Sequence, residues 1–279
     1  MSPPAKPASS RPDDTIEKLL TSHVYHLPRG RVPERFVVCG RRERAMRILT
    51  MLDDHSVRFD GDYYLGVGMH DKVDIGVCSH GIGGPSAVIA MHELVAQGAR
   101  SFVRVGTCGA LSPDVKLGDI VVVKDAVRED GSEWVWPGAR KVEMDRELVK
   151  RLAKSAEPML RLWSREPPAP RLHVGTEHSK YDFFAEVPEL TASPRSFHAL
   201  WRKHRRAGVL VSSMESGALA SKALALEKRL GEEIRVASIL VAVGMVGGKL
   251  YEPGNAAAMR IDGSVDVAIA AALDALTGD

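Results

Sequence analysis

The sequence predicts an α/β protein in which a mostly parallel β-sheet is covered by helices on both faces. Short apolar, β-branched runs alternate with stretches of helical periodicity along most of the chain. With 279 residues and a hydrophobic fraction of 44%, the chain is long enough to bury a large core. No break in composition and no internal repeat marks a second domain. We therefore expect one domain over residues 21–279, preceded by a disordered tail over residues 1–20.

The predicted elements follow one another in strand–helix order. Apolar and β-branched runs predict strands at Arg35–Cys39, Tyr63–Gly68, Val73–Cys78, Ser101–Val105, Asp119–Val123, Leu172–Val174, Val209–Val211 and Val236–Val243. Helical spacing predicts helices at about Arg42–Leu52, Pro85–Gly98, Arg146–Ala156, Arg195–Ala207, Ser216–Arg229 and Ser264–Leu276. The segments Val127–Asp145 and Gly175–Ser196 are predicted to be long irregular loops, where functional residues are common.

Charge and cysteine content exclude several classes of protein. The net charge of +2 offers no basis for binding nucleic acid or a membrane surface, and no segment is long and apolar enough to span a bilayer. Cys39, Cys78 and Cys108 show no metal-ligand spacing and lie in or beside apolar runs. We interpret them as reduced core residues of a cytoplasmic protein. We expect no metal ion and no nucleic-acid or membrane partner.

Arg104 gives the first indication of a binding site. It lies at the end of the apolar run 101–105 and is followed by Gly106, Thr107 and Gly109. Burying a guanidinium group is costly unless an anion replaces its water. An arginine, a hydroxyl group and accessible backbone amides at a strand end suit an anion the size of phosphate. A structural salt bridge between Arg104 and an acidic side chain fits the same pattern.

Three other segments follow predicted strands, at the sheet edge where α/β proteins bind ligands. The stretch from Gly40 to Arg44 places backbone amides and a basic side chain at a helix start, which suits an anion. The glycine-rich Gly81–Ser86 lacks the third glycine of a dinucleotide-binding motif, so a tight turn is favoured there. Glu215, beside Met214, either stabilises a helix start by its charge or accepts hydrogen bonds from vicinal hydroxyl groups.

Taken together, these segments resemble the nucleoside phosphorylase-I family, and within it the uridine phosphorylases. The motifs occur in the family's order: VYHL (Val24–Leu27), CGRRER (Cys39–Arg44), HGIGGPS (His80–Ser86), RVGTCGAL (Arg104–Leu111), LGDIVV (Leu117–Val122), HVG (His173–Gly175) and SMESGAL (Ser213–Leu219). The resemblance implies a single α/β domain with a central twisted mixed sheet, partly barrel-like and flanked by helices. It implies reversible phosphorolysis of a nucleoside to the free base and ribose 1-phosphate. Orthophosphate would be a co-substrate, and no cofactor would be needed.

The resemblance also implies roles for single residues. Phosphate would be bound by Gly40, Arg44, Arg58, Arg104 and Thr107. Ribose would be bound by His26, Thr107, Met214 and Glu215, and the base by Phe183, Gly109 and Arg195. Arg104 and Glu215 would be the catalytic residues. His26 corresponds to a histidine that reaches the sugar from a neighbouring subunit, which implies at least a dimer with a shared active site.

The base-binding residues depart from the family's pattern. The segment Phe183–Arg195 lacks the glutamine and arginine that bind the uracil edge in uridine phosphorylases, and Arg195 is the substitute we suggest. Near Val243–Met245 there is neither the second arginine of these enzymes nor the aspartate of purine-cleaving members. Arg58 is offset from the family's partner-donated phosphate arginine, and Ser213 replaces the first of two glutamates around the methionine.

The expected activity is therefore phosphorolysis of a nucleoside, with uridine as the expected substrate. One alternative is a nucleosidase of the same superfamily that uses water instead of phosphate. Arg44 and Arg104 argue against it, because a hydrolase has no anion to hold. A second alternative is a catalytically silent relative that binds a nucleoside.

Overall fold

The computed structural model describes residues 26–28, 30–163, 169–247 and 256–278. The predicted tail over residues 1–20 lies outside the described residues. The strands are β1 (Arg35–Cys39), β2 (Asp53–Asp60), β3 (Tyr64–His70), β4 (Val73–Ser79), β5 (Ser101–Ala110), β6 (Ile120–Glu129), β7 (Lys141–Glu143), β8 (Leu172–Lys180), β9 (Val209–Ser213) and β10 (Arg235–Met245). The helices are α1 (Arg42–Leu49), α2 (Gly84–Ala96), α3 (Ser132–Val135), α4 (Arg146–Trp163), α5 (Pro194–Arg206), α6 (Ser216–Leu230) and α7 (Ala256–Thr277). Two 3₁₀ turns cover Phe184–Glu186 and Pro188–Leu190.

The strands form one mixed sheet, part of which closes on itself. Their order is β10-β6-β8-β9-β5-β1-β4-β3-β2, with β7 beside β6, and β10 also pairs with β5. The β10–β5 pairing makes β5, β10, β6, β8 and β9 a closed barrel, from which β1, β4, β3 and β2 extend. The predicted single α/β domain with a partly barrel-like mixed sheet is confirmed.

The sheet is less parallel than the strand–helix alternation predicts. β2, β3 and β4 form an antiparallel meander, and β9 runs antiparallel to β5. Parallel pairs remain at β1–β4, β1–β5, β5–β10, β6–β8 and β8–β9. The hairpins join their strands by short turns, which need no crossover helix.

Two apolar layers cover the sheet, one on each face. On β1, Phe36 and Val38 point into one layer, whereas Val37 and Cys39 point into the other. This alternation follows from the two-residue period of a strand. Helices α2 and α6 cover the first face with side chains such as Leu94, and α1, α4 and α7 cover the second. No helix in the described part of the chain is long and apolar enough to cross a membrane.

Strands β5, β6 and β8 extend beyond their predicted ends, and β2 was not predicted. β5 does not end at Val105 but runs through its two glycines to Ala110. β8 continues to Lys180, so part of the loop predicted from Gly175 is strand. The polar edge strand β2, almost wholly exposed, has no apolar alternation to predict it.

Candidate active site

Arg104 and Glu215 form a buried ion pair at the centre of the candidate site. Arg104 lies on β5, and Glu215 follows β9 as the residue before α6. Their side chains are only 5% and 7% exposed, and Arg104 Nη2 donates to Glu215 Oε2. Arg104 Nη1 donates to Ser213 Oγ at 3.2 Å and to Ser216 Oγ at 3.4 Å. Arg104 thus has the acidic partner that its burial demands, and that partner is itself a predicted site residue.

The glycine-rich turn before α2 holds the other oxygen of Glu215. Gly81 and Gly83 have φ values of +74° and +91°, which glycine adopts without strain. Gly83 N–H donates to Glu215 Oε1 at 2.8 Å. Burial alone would raise the pKa of Glu215, but Arg104, His80 and this N–H outweigh it, so the pKa lies below its ordinary value. Glu215 is therefore an ionised acceptor at neutral pH.

Arg44 brings a second guanidinium group to the same region. It lies in the first turn of α1, and its Nη1 donates to Val105 O at 3.2 Å, beside Arg104. Burial lowers the pKa of Arg44, and the positive charge of Arg104 lowers it further. Gly40 is the residue that follows β1, and a Cβ atom added to it would lie 2.9 Å from Gly81 O. Thr107 is half-buried on β5. Two mutually repelling cations close together suit an anion.

Glu177 is a site residue that sequence reasoning missed. It lies on β8, is fully buried, and accepts a hydrogen bond from Ser213 Oγ at 2.5 Å. Its Oε2 has no hydrogen-bond partner among the described residues. Burial raises its pKa, and Arg104 opposes that effect. The sequence does not single out Glu177 because Gly175–Ser196 is predicted to be a loop. The available signal is a glutamate shortly after the predicted strand Leu172–Val174.

His80 is a second buried group beside the ion pair. It is 1% exposed, and neither ring nitrogen has a hydrogen-bond partner among the described residues. Burial lowers its pKa to about 4, although the Glu215 carboxylate acts in the opposite direction. His80 is therefore a neutral imidazole at neutral pH.

Of the residues predicted to contact the base, Gly109 lies near the carboxyl end of β5 and Phe183 lies just after β8. Gly109 pairs with Ser212 of β9, Met214 is half-buried, and Phe183 is 46% exposed just after β8. Arg195 is exposed in the first turn of α5, and no hydrogen bond or ion pair joins it to another described residue. The structure therefore brings Gly109, Met214 and Phe183 near the ion pair's strands but does not connect Arg195 to them.

His26 lies beside the turn that follows β2, and Arg58 lies on β2 itself. The Glu93 carboxylate accepts the His26 N–H at 3.1 Å, and His26 Nδ1 lies 3.7 Å from Asp62 Oδ2. Arg58 is exposed on β2, four residues before Asp62, and lines a cavity of about 1050 Å³. The residues that line this cavity do not include Arg104 or Glu215. Among the described residues, no hydrogen bond or ion pair joins His26 or Arg58 to Arg104 or Glu215.

Two groups of side chains in the described part of the chain could hold a metal ion, which the sequence does not predict: the more exposed His70, Asp71 and Asp274, and the more buried Glu129, His178 and His204. Glu129 Oε2 lies 2.9 Å from His178 Nε2 and 3.3 Å from His204 Nε2, and the two rings stack. Glu129 also pairs with Arg140, whose positive charge would oppose a cation. We therefore interpret the cluster as a hydrogen-bond network that fixes β8.

Comparisons with known proteins identify relatives of this chain. The uridine phosphorylase of Thermococcus kodakarensis is 39% identical over 104 residues, which are 37% of this chain and 38% of that protein. The guanosine phosphorylase of Halorubrum lacusprofundi is 40% identical over 104 residues, 37% of this chain and 43% of that protein. These matches thus span well under half of the relatives' lengths.

The likeness to a solved structure extends further along the chain. The crystal structure of uridine phosphorylase from Vibrio fischeri superposes with a TM-score of 0.73 at 25% identity, covering 92% of this chain and 100% of that one. Residues 34–269 match the model of the family described as the phosphorylase superfamily. With that match and the ordered motifs on a shared fold, the chain belongs to the phosphorylase superfamily, as a member of the nucleoside phosphorylase-I family.

Proposed function

We propose that this protein cleaves a nucleoside with orthophosphate and that uridine is a substrate. A phosphate oxygen forms a bond to C1′ of the sugar while the bond from C1′ to the base nitrogen breaks. The electron pair of that bond leaves with the base, and the products are ribose 1-phosphate and the free base. The enzyme has to hold the nucleophile, hold the sugar and stabilise the charge on the base.

The observation that carries the proposal is a buried arginine with donor capacity to spare. Arg104 uses its terminal nitrogens on Glu215, Ser213 and Ser216, but its Nε has no partner among the described residues. A buried donor without a partner costs about 1–3 kcal/mol, which a phosphate oxygen would offset. Arg44 and the amides around Gly40 would bind the remaining phosphate oxygens.

Glu215 would accept hydrogen bonds from the ribose hydroxyl groups. Its pKa lies below the ordinary value, so the acceptor is ionised when the sugar arrives. The bond to Gly83 fixes its orientation beforehand. A preorganised carboxylate stabilises the positively charged sugar of the transition state without reorganising during the reaction. Met214 would pack against the sugar.

His26 and Arg58 support a shared active site. His26 lies 3.7 Å from Asp62, and Arg58 lines a cavity whose lining includes neither Arg104 nor Glu215. We propose that a second copy of the chain receives them, so that the working unit is at least a dimer. The three buried cysteines carry no disulfide, which supports the proposal that the protein is cytoplasmic.

The test is a cleavage assay of uridine, thymidine, inosine and adenosine with and without orthophosphate. We expect uridine cleavage only with phosphate, and ribose 1-phosphate as a product. An equal rate without phosphate would identify a nucleosidase instead. Nucleoside binding in calorimetry without any turnover would identify a silent relative.

A further inference from the structure

Three segments of the chain meet at Glu186, a buried residue in the turn that follows β8. The residue lies in the 3₁₀ turn Phe184–Glu186 and is 5% exposed. A Cβ atom added to Gly109 would lie 2.7 Å from Glu186 Oε1 and 2.8 Å from Oε2. Gly247, just after β10, donates its N–H to Glu186 O at 2.8 Å. The carboxylate thus lies directly against Gly109, at the carboxyl ends of β5 and β10.

Lys180 is the partner of this carboxylate. Its Nζ lies 2.6 Å from Glu186 Oε1, and the two side chains are 5% and 6% exposed. The same Nζ lies 5.9 Å from the ring centre of Phe183. Lys180 is the last residue of β8, and its predecessor Ser179 pairs with Ser213 of β9.

The pair acts electrostatically on the Arg104–Glu215 site. Lys180 is among the cations that hold the pKa of Glu215 low against the opposing effect of burial. Burial raises the pKa of Cys108 well above its ordinary value, and both Lys180 and Glu186 act on that thiol. The Lys180–Glu186 pair therefore acts on the ion pair at long range, and its direct contacts are with Gly109 and Phe183.

A buried lysine–glutamate pair is costly to keep. Removing two charges from water costs several kcal/mol per ion. Because of this cost, a buried ion pair seldom stabilises the folded state more than well-packed apolar side chains would. The pair can be a clamp that fastens the turn Phe184–Glu186 to β8. It can also be retained because it offers a ligand one acceptor and one donor side by side.

We propose that Glu186 and Lys180 bind the edge of the nucleobase, an inference that rests on the proposed phosphorolysis. Glu186 accepts a ring N–H, and Lys180 donates to the adjacent carbonyl oxygen. Uracil, thymine, hypoxanthine and guanine carry an N–H beside C=O, whereas cytosine and adenine carry a ring acceptor beside an amino group. Because the sugar fixes the orientation of the base, the substrate class is nucleosides with a lactam edge.

Lys180 would also stabilise the leaving base. As the bond to C1′ breaks, the electron pair passes to the base, and part of the negative charge reaches the carbonyl oxygen. A positioned ammonium group at that oxygen stabilises the charge more in the transition state than in the bound nucleoside. Lys180 would thus stabilise the leaving base in place of the arginine or aspartate that is absent near Val243–Met245.

The test compares Lys180→Met with Lys203→Met, an exposed control on α5, using uridine and 5-fluorouridine. Fluorine makes the base a better leaving group that needs less stabilisation. We expect Lys180→Met to lower kcat for uridine by ~100-fold and for 5-fluorouridine by far less. Equal losses on both substrates would identify a structural clamp and overturn the proposal. The double variant Lys180→Met with Glu186→Met leaves no buried charge unpaired. Measuring kcat for uridine and 5-fluorouridine with it controls for the effect of an unpaired Glu186 carboxylate.

Binding of free bases tests the edge contact without any turnover. Calorimetry with uracil should show binding weakened at least ~10-fold by Glu186→Gln and by Lys180→Met, but not by the exposed control Glu189→Gln. Unchanged uracil binding, or faster cleavage of cytidine than of uridine, would overturn the assignment. If the wild-type protein cleaves no nucleoside, the proposed phosphorolysis fails, while weakened uracil binding in these variants still supports the base-edge pair.

Discussion

The Arg104 guanidinium and the Glu215 carboxylate, 111 residues apart in sequence, are bonded to each other inside the protein. Each is assigned to a different ligand, Arg104 to phosphate and Glu215 to ribose. Under the proposed function, this direct contact would place phosphate and ribose side by side, as attack on C1′ requires.

Replacing Arg104 with alanine should weaken the use of phosphate. Loss of a charge-assisted contact should lower the phosphate-dependent rate at least ~10-fold. The change also leaves Glu215 buried without its cation, which should cost about 3–5 kcal/mol of the free energy of unfolding. Steady-state kinetics with varied phosphate and chemical denaturation measure the two effects. Arg202→Ala, an exposed control on α5, should change neither. An unchanged phosphate dependence would remove Arg104 from the site.

Gly106→Ala should displace Arg104 without removing its charge. A Cβ atom on Gly106 would lie 2.7 Å from Arg104 Cζ and Nη1, because the guanidinium group packs directly against Gly106. We expect a higher KM for phosphate with little change in the KM for nucleoside. Gly138→Ala is the matched control, since its Cβ would meet only Arg128 Nη2 at 3.7 Å. Equal phosphate KM values in both variants would contradict the assigned path of the Arg104 side chain.

The stability of the protein should fall as pH falls from 6.5 to about 4. The pKa of His80 is lowered from 6.5 to about 4, so the unfolded chain takes up a proton in this range before the folded protein does. By linkage, His80 contributes stability above its unfolded pKa that is lost on acidification, up to ~3 kcal/mol. Urea denaturation at several pH values should show a steeper loss for the wild type than for His80→Gln. Parallel curves would show that His80 is protonated in the folded protein.

Two inactive variants should restore activity when combined, if the site is shared. His26→Ala and Glu215→Ala should each lose most activity as homo-oligomers. In a co-expressed mixture, about a quarter of the sites of a dimer should combine intact contributions from both chains. Assay of the co-purified mixture against each variant checks this. Full activity of His26→Ala by itself, or no recovery on mixing, would argue against a shared site.

The motifs predicted most of the fold and the ion pair's members, because their signals are local. Glu215 and the turn at Gly81 follow strands that the sequence makes visible, and Arg104 stands out as a charged residue within an apolar run. The length of β5 was missed because Gly106 and Gly109 look like a turn. In the structure these glycines make room for Arg104 and Glu186 within a continuous strand.

Lys180 and Glu186 could not be assigned from the sequence for a different reason. Each looks like an ordinary exposed charge, and their burial depends on Gly109 and Gly247, which lie far away in the chain. Glu177 was missed in the same way, since its partner Ser213 belongs to another strand. Long-range contacts decide which charged side chains are buried, and the periodicity of the sequence does not reveal those contacts.

The closed ring of β5, β10, β6, β8 and β9 leaves none of these five strands free to slide against its neighbours. Arg104, Glu177 and Lys180 are anchored on this ring and hold their spacing whether or not a ligand is present. The two 3₁₀ turns that follow β8 lie outside this ring, and Phe183 and Phe184 are exposed there. Substitutions at those two phenylalanines should therefore leave the relative positions of the three charged residues unchanged.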